Sequence, residues 1–63
     1  MYPFDAAYEG VQYFGEYDFV DDDTIIVCFP DGTQSHEIAL RGFKPLLAAK
    51  TELRAYASKL KQR

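Results

Sequence analysis

The apolar residues change period at Gly42. Before it, aromatic and β-branched residues fall in short runs with strand spacing: Val11 to Val20, Thr24 to Phe29, and a looser alternation from Thr33 to Leu40. After it, Phe43, Leu46, Leu53, Tyr56, Ala57 and Leu60 recur at helical spacing, with Ala48, Ala49 and Ala55 as helix formers and Pro45 suited to a first turn. A chain of 63 residues with one such switch has room for a sheet and a helix and little more. The pattern predicts an α+β fold, a three-stranded antiparallel β-meander with one C-terminal α-helix packed on one face. It reads as a single small domain over 1–63, with an aromatic N-terminal arm at 1–10, the meander at 11–40 and a helix at 43–62 that could break near Thr51.

Turn chemistry sets the expected register. Asp31-Gly32 supplies the positive φ values of a two-residue type I′ hairpin, and Asp21-Asp22-Asp23 is a solvated connection. Gly15 marks a bulge or bend in the first strand. With Asp31 and Gly32 as the turn, Phe29 falls opposite Gln34, Val27 opposite His36 and Ile25 opposite Ile38. One face then collects Ile25, Val27, Phe29, Ile38 and Leu40, and a one-residue slip would mix polar with apolar on both faces. The preceding pair sets Phe19 opposite Ile25 and Tyr17 opposite Val27. The expected helix stripe is Phe43, Leu46, Leu53, Ala57 and Leu60, so the core should hold Phe19, Leu46, Leu53 and Leu60 with the strand residues. In the arm, Tyr2, Pro3, Phe4 and Tyr8 close one sheet edge. Asp5 to Gly10 fits a single helical turn with Asp5 as N-cap.

Charge is divided along the chain. Residues 1–40 hold nine acids and no base, and residues 41–63 hold seven bases and one acid, so segments of −9 and +6 make up the formal net charge of −3. On the predicted meander, Glu16, Asp18 and Glu37 surround Ile26 and Cys28 on the open face, and Asp21, Asp22 and Asp23 stand at one end. The helix carries Lys44, Lys50, Arg54, Lys59, Lys61 and Arg63 on the other side of the molecule. A basic helix neutralising its own acidic sheet would account for the same asymmetry.

Catalytic and metal motifs do not emerge from the residues. Cys28 and His36 are the candidates for a nucleophile and its base, but the favoured register points them to opposite faces. The aspartate loop lacks the alternating ligands, central glycine and closing glutamate of an EF-hand. The four glycines fit neither a dinucleotide fingerprint nor a phosphate loop. Neither cofactor nor metal is expected. A single cysteine cannot form an internal disulfide and no cationic leader precedes an apolar stretch, so the expected compartment is the cytoplasm. No apolar run approaches the roughly 20 residues of a membrane span.

The expected function is non-enzymatic. Carboxylates held at fixed spacing on a sheet can imitate the phosphates of a duplex. By analogy, this resembles very small acidic proteins of phages and mobile elements, some anti-CRISPR inhibitors among them, that block a basic nucleic-acid-binding surface. The expected partner is such a basic, nucleic-acid-binding protein, met through Glu16, Asp18, Asp21, Asp22, Asp23, Ile26 and Glu37. Direct nucleic-acid binding is not expected of a chain with pI near 4.8. Two alternatives are nucleic-acid binding through the basic C-terminal helix and an accessory or assembly subunit using its open sheet face. The expected state is a monomer or weak homodimer.

Overall fold

The computed structural model describes residues 1–61. It contains β1 (Tyr2–Tyr8), β2 (Val11–Asp21), β3 (Thr24–Cys28), β4 (Ile38–Ala39) and α1 (Pro45–Lys61), with the four strands in an antiparallel sheet of order β1-β2-β3-β4. The α+β class and the single C-terminal helix match the sequence reading, and the sheet has four strands rather than three. Gln62, the last residue of the predicted helix, and Arg63, one of its cations, lie outside the described residues.

The extra strand is the N-terminal arm. Tyr2 to Tyr8 is not an aromatic arm with a helical turn but an edge strand: Phe4 and Ala6 are buried while Pro3, Asp5 and Ala7 alternate outward. Pro3 is tolerated because the strand lies at an edge. Glu9 and Gly10, with φ of 50° and 80°, make a two-residue turn that pairs Tyr8 with Val11. Phe4 lies directly across from Gly15, where a side chain would meet the Cys28 carbonyl at 2.9 Å and the Phe4 ring at 3.5 Å. Gly15 therefore gives the Phe4 ring a flat bed inside the sheet.

The β2–β3 register is the expected one, with Tyr17 opposite Val27 and Phe19 opposite Ile25, followed by a bulge at Val20. The next hairpin differs. Gly32 N–H donates to the Phe29 carbonyl (3.0 Å) and Phe29 N–H to the Thr33 carbonyl (2.8 Å), and Gly32, but not Asp31, has a positive φ. This is a three-residue loop with Pro30 leading a tight turn, in place of the two-residue turn. Proline decides it, since Pro30 has no N–H to give to a ladder and its fixed φ suits the first corner of a type I turn.

The partner segment is displaced accordingly. Cys28 bridges Gln34, and Ser35 N–H donates to the Val27 carbonyl at 2.8 Å, so Gln34 faces Cys28 rather than Phe29, and Ser35 rather than His36 faces Val27. Ser35 Oγ also accepts the Val27 N–H at 2.9 Å, which satisfies a β3 donor where the ladder is irregular. Pairing recovers only at Ile38 opposite Ile25, leaving a β4 of two residues where the expected strand covered Thr33 to Leu40.

The core is Phe4, Ala6, Ile25, Val27, Leu40, Ala49 and Leu53, flanked by half-buried Phe29 and Ile38. The helix turns Ala49, Leu53 and Ala57 inward, three residues four apart on one face. Leu46 and Leu60 are exposed, and Phe43 lies in the turn before the helix. Two alanines on the buried stripe let the helix sit close to the sheet, and the bulkier leucines fall on its flanks. Phe19 is likewise exposed, in a rim of rings where it makes edge contacts with Tyr2 and Tyr17 at centroid distances of 5.9 and 6.1 Å. The helix runs unbroken through Thr51, whose hydroxyl donates to the Leu47 carbonyl at 3.0 Å.

The far end of the helix is fastened to the β3–β4 loop. Phe29 and Tyr56 stack with centroids 4.6 Å apart and planes 6° from parallel. Thr33 donates to Asp31 Oδ1 from its hydroxyl (2.6 Å) and its amide (2.9 Å). These bonds, with a further one from the Tyr56 hydroxyl, hold the Asp31 carboxyl below the usual aspartate range.

Two stability measurements follow. In urea denaturation, Leu53→Ala should cost about 2–5 kcal/mol, since Leu53 is 0% exposed, while Leu46→Ala, 44% exposed, should cost about 1 kcal/mol or less. Equal losses would mean that the helix presents a different face. Because the folded-state pKa of Asp31 is depressed, its contribution is complete above the ordinary aspartate pKa and disappears as the pH falls through the folded value. Asp31→Asn should therefore be less stable than the parent at neutral pH and converge with it in acid. A deficit that stays constant with pH would contradict this role.

Candidate interaction face

One face of the sheet holds α1 and no described element covers the other. Strand alternation assigns side chains to the open face. Asp5 lies opposite Phe14, Pro3 opposite Glu16, Glu16 opposite Cys28, Asp18 opposite Ile26 and Asp21 opposite Thr24. Ile26 and Cys28 are half-buried, whereas Phe14 is 65% exposed. The face thus interleaves Phe14, Ile26 and Cys28 with the carboxylates of Asp5, Glu16, Asp18 and Asp21, Glu16 and Asp18 standing on the inner strand β2.

Of the residues predicted for partner binding, the structure brings Glu16, Asp18, Asp21 and Ile26 into one register. Asp22 and Asp23 form the β2–β3 turn at the end of the face, where Asp23 N–H donates to Asp21 Oδ1 at 2.9 Å. Asp18 Oδ1 accepts the Phe19 N–H at 2.9 Å. Glu37 is exposed but belongs to the irregular stretch before β4, outside the sheet ladder, so it does not join Glu16 and Asp18 in the pairing. Sequence reasoning missed Asp5 and Phe14. The sign was present in the alternation from Tyr2 to Tyr8 and in Gly10, which serves a hairpin rather than a helix end. The Asp5 carboxylate accepts a hydrogen bond from the Gln12 side-chain amide across the strands.

A shallow groove of about 360 Å³ opens at one end of this face, with Pro3, Phe14, Glu16, Cys28 and Pro30 among its walls. His36 instead lines a cleft of about 260 Å³ beside Tyr56, Glu52 and Lys59, next to the helix. Cys28 and His36 therefore look into different hollows, and the Gln34 side-chain amide donates to Cys28 Sγ at 3.6 Å. Among the described residues, no three of His, Cys, Asp and Glu gather as metal ligands. No described helix is long and apolar enough to cross a membrane.

The acidic and basic halves of the chain meet at one edge of the sheet. Lys61 Nζ and Glu9 Oε1, 3.5 Å apart, form the one ion pair among the described residues, and it lies at the β1–β2 turn rather than on the open face. Both partners are exposed, so the pair contributes about 1 kcal/mol or less. Arg54 Nε donates to the Ala7 carbonyl at 3.3 Å, an interaction with backbone rather than with a carboxylate. Among the described residues, no cation of the helix is ion-paired with a carboxylate of the open face.

No known protein family, curated protein or solved structure matches the chain.

Proposed function

We propose that the protein is a non-enzymatic binding module whose open sheet face engages a basic, nucleic-acid-binding surface of a protein partner. One observation carries this reading: Asp5, Glu16, Asp18 and Asp21 share an uncovered face with the exposed Phe14 ring, and none of them is ion-paired to the helix among the described residues. Apolar groups interleaved with carboxylates offer arginine-rich surfaces both ring contact and charge complementarity. In its finer form the face stands in for nucleic-acid phosphates, as in the very small acidic inhibitors of phages and mobile elements. That form is supported by the polarity of the charge. The cations on the helix lie across the sheet and leave the face free to attract a partner of opposite sign.

Immobilised poly-L-arginine provides a defined probe. The parent should be retained, and retention should weaken as salt rises from about 50 to 200 mM. Removing two charges from the face, Glu16→Gln with Asp18→Asn, should weaken binding by about tenfold or more. Removing two elsewhere, Glu9→Gln with Glu52→Gln, should change it by less than about threefold. Equal losses would show that net charge alone drives retention and would discard the face. Retention of the parent on duplex DNA at physiological salt would transfer the function to the helix.

A further inference from the structure

The four carboxylates of the open face are not equivalent. Asp5 accepts the Gln12 side-chain amide, Asp18 accepts the Phe19 N–H and Asp21 accepts the Asp23 N–H, so each of these three already has a donor within the chain. Glu16, which is exposed, makes no side-chain hydrogen bond or ion pair among the described residues. Its neighbours across the face, Pro3 on β1 and Cys28 on β3, bring no strong side-chain donor to it.

Phe14 stands beside it. The two are two residues apart on β2, so they share the face about 7 Å from one another along the strand. Phe14 is exposed and stacks on no other ring among the described residues. Both line the shallow groove that Pro3, Cys28 and Pro30 also wall. A bare ring and an unpaired carboxylate in one groove present a cation with a π face and two acceptor oxygens. A guanidinium is planar, so it can lie on the ring while its edge N–H groups donate to both oxygens of the carboxylate. An ammonium is a compact, strongly hydrated point charge with no plane to match the pair.

On the reading that the open face is the binding face, we infer that this groove is a subsite for one arginine side chain of the protein partner. Phe14 lies against the guanidinium plane and Glu16 accepts from its edge. Asp5, across from Phe14 on β1, adds negative charge at the same place. The acidic face attracts lysine and arginine alike, and the ring distinguishes them.

Hexa-arginine and hexa-lysine, equal in charge and length, are the probes, titrated into the protein by calorimetry at low salt. The parent should bind hexa-arginine about tenfold more tightly than hexa-lysine. Phe14→Leu, at an exposed site, should keep the circular dichroism of the parent and bring the two affinities to within about threefold of each other, chiefly by weakening hexa-arginine. Phe14→Tyr keeps a ring and should retain the preference. Glu16→Gln should weaken hexa-arginine more than hexa-lysine, whereas Asp18→Asn should weaken both alike and leave their ratio unchanged. Equal affinity of the parent for the two peptides overturns the arginine subsite and leaves the binding face standing. Failure to bind either peptide overturns both. A preference that survives Phe14→Leu, or one that Asp18→Asn removes as fully, overturns the subsite alone.

Discussion

The structure depends on the seating of Leu53, between Ala49 and Ala57, against the helix-facing side of the sheet. Ile25, Val27 and Leu53 are the largest fully buried side chains among the described residues. A core this narrow leaves little redundancy, since a small domain keeps only a few kcal/mol after the entropy of ordering the chain. The β2–β3 register is bound to it: a one-residue slip would take Ile25 and Val27 out from under Leu53 and put Ile26 and Cys28 in their place. The charge polarity follows from the same contact. Seating one helix face leaves the others to solvent, where the lysines and arginines lie, and leaves the far face of the sheet to the carboxylates.

Aromatic side chains extend the core where the helix does not reach. Tyr2 stacks on Tyr17 at 5.2 Å, and Phe4 meets the edge of Tyr17 at 5.8 Å, so the sheet beyond the helix is roofed by rings. At the opposite corner, Phe29 and Tyr56 do the same between loop and helix. Rings that cover backbone while keeping a hydroxyl in solvent suit a domain too small to bury them fully. Phe14, 65% exposed, stands on the open face proposed for recognition.

Much of this was legible in the residues. The period change at Gly42 marks the helix, and the pairing of Phe19 with Ile25 and Tyr17 with Val27 follows from keeping apolar residues on one face. Glu16, Asp18 and Ile26 were placed together correctly for that reason. The first strand was not recognised because Asp5-Ala6-Ala7 also satisfies the start of a helix, and only pairing with β2 selects the extended form. Without that strand, Asp5 and Phe14 could not be assigned to the open face. Glu37 lies outside the ladder because the three-residue loop led by Pro30 displaces the segment after it and pairing resumes only at Ile38.

The sequence by itself determined the α+β class, the helix, the apolar face of β3 and the separation of acids from bases. Each of these rests on a local period or on the order of residues along the chain. Tertiary structure decided which helix residues are buried, because Leu46, Leu53 and Leu60 are equally apolar in isolation and only the approach of the sheet distinguishes them. It decided the length of β4, where the bonds made by Ser35 and the three-residue loop use up the chain before the ladder resumes. It also decided that, among the described residues, no cation pairs with the acidic face, since how far a cation lies from a carboxylate is set by which side of the sheet the helix packs against.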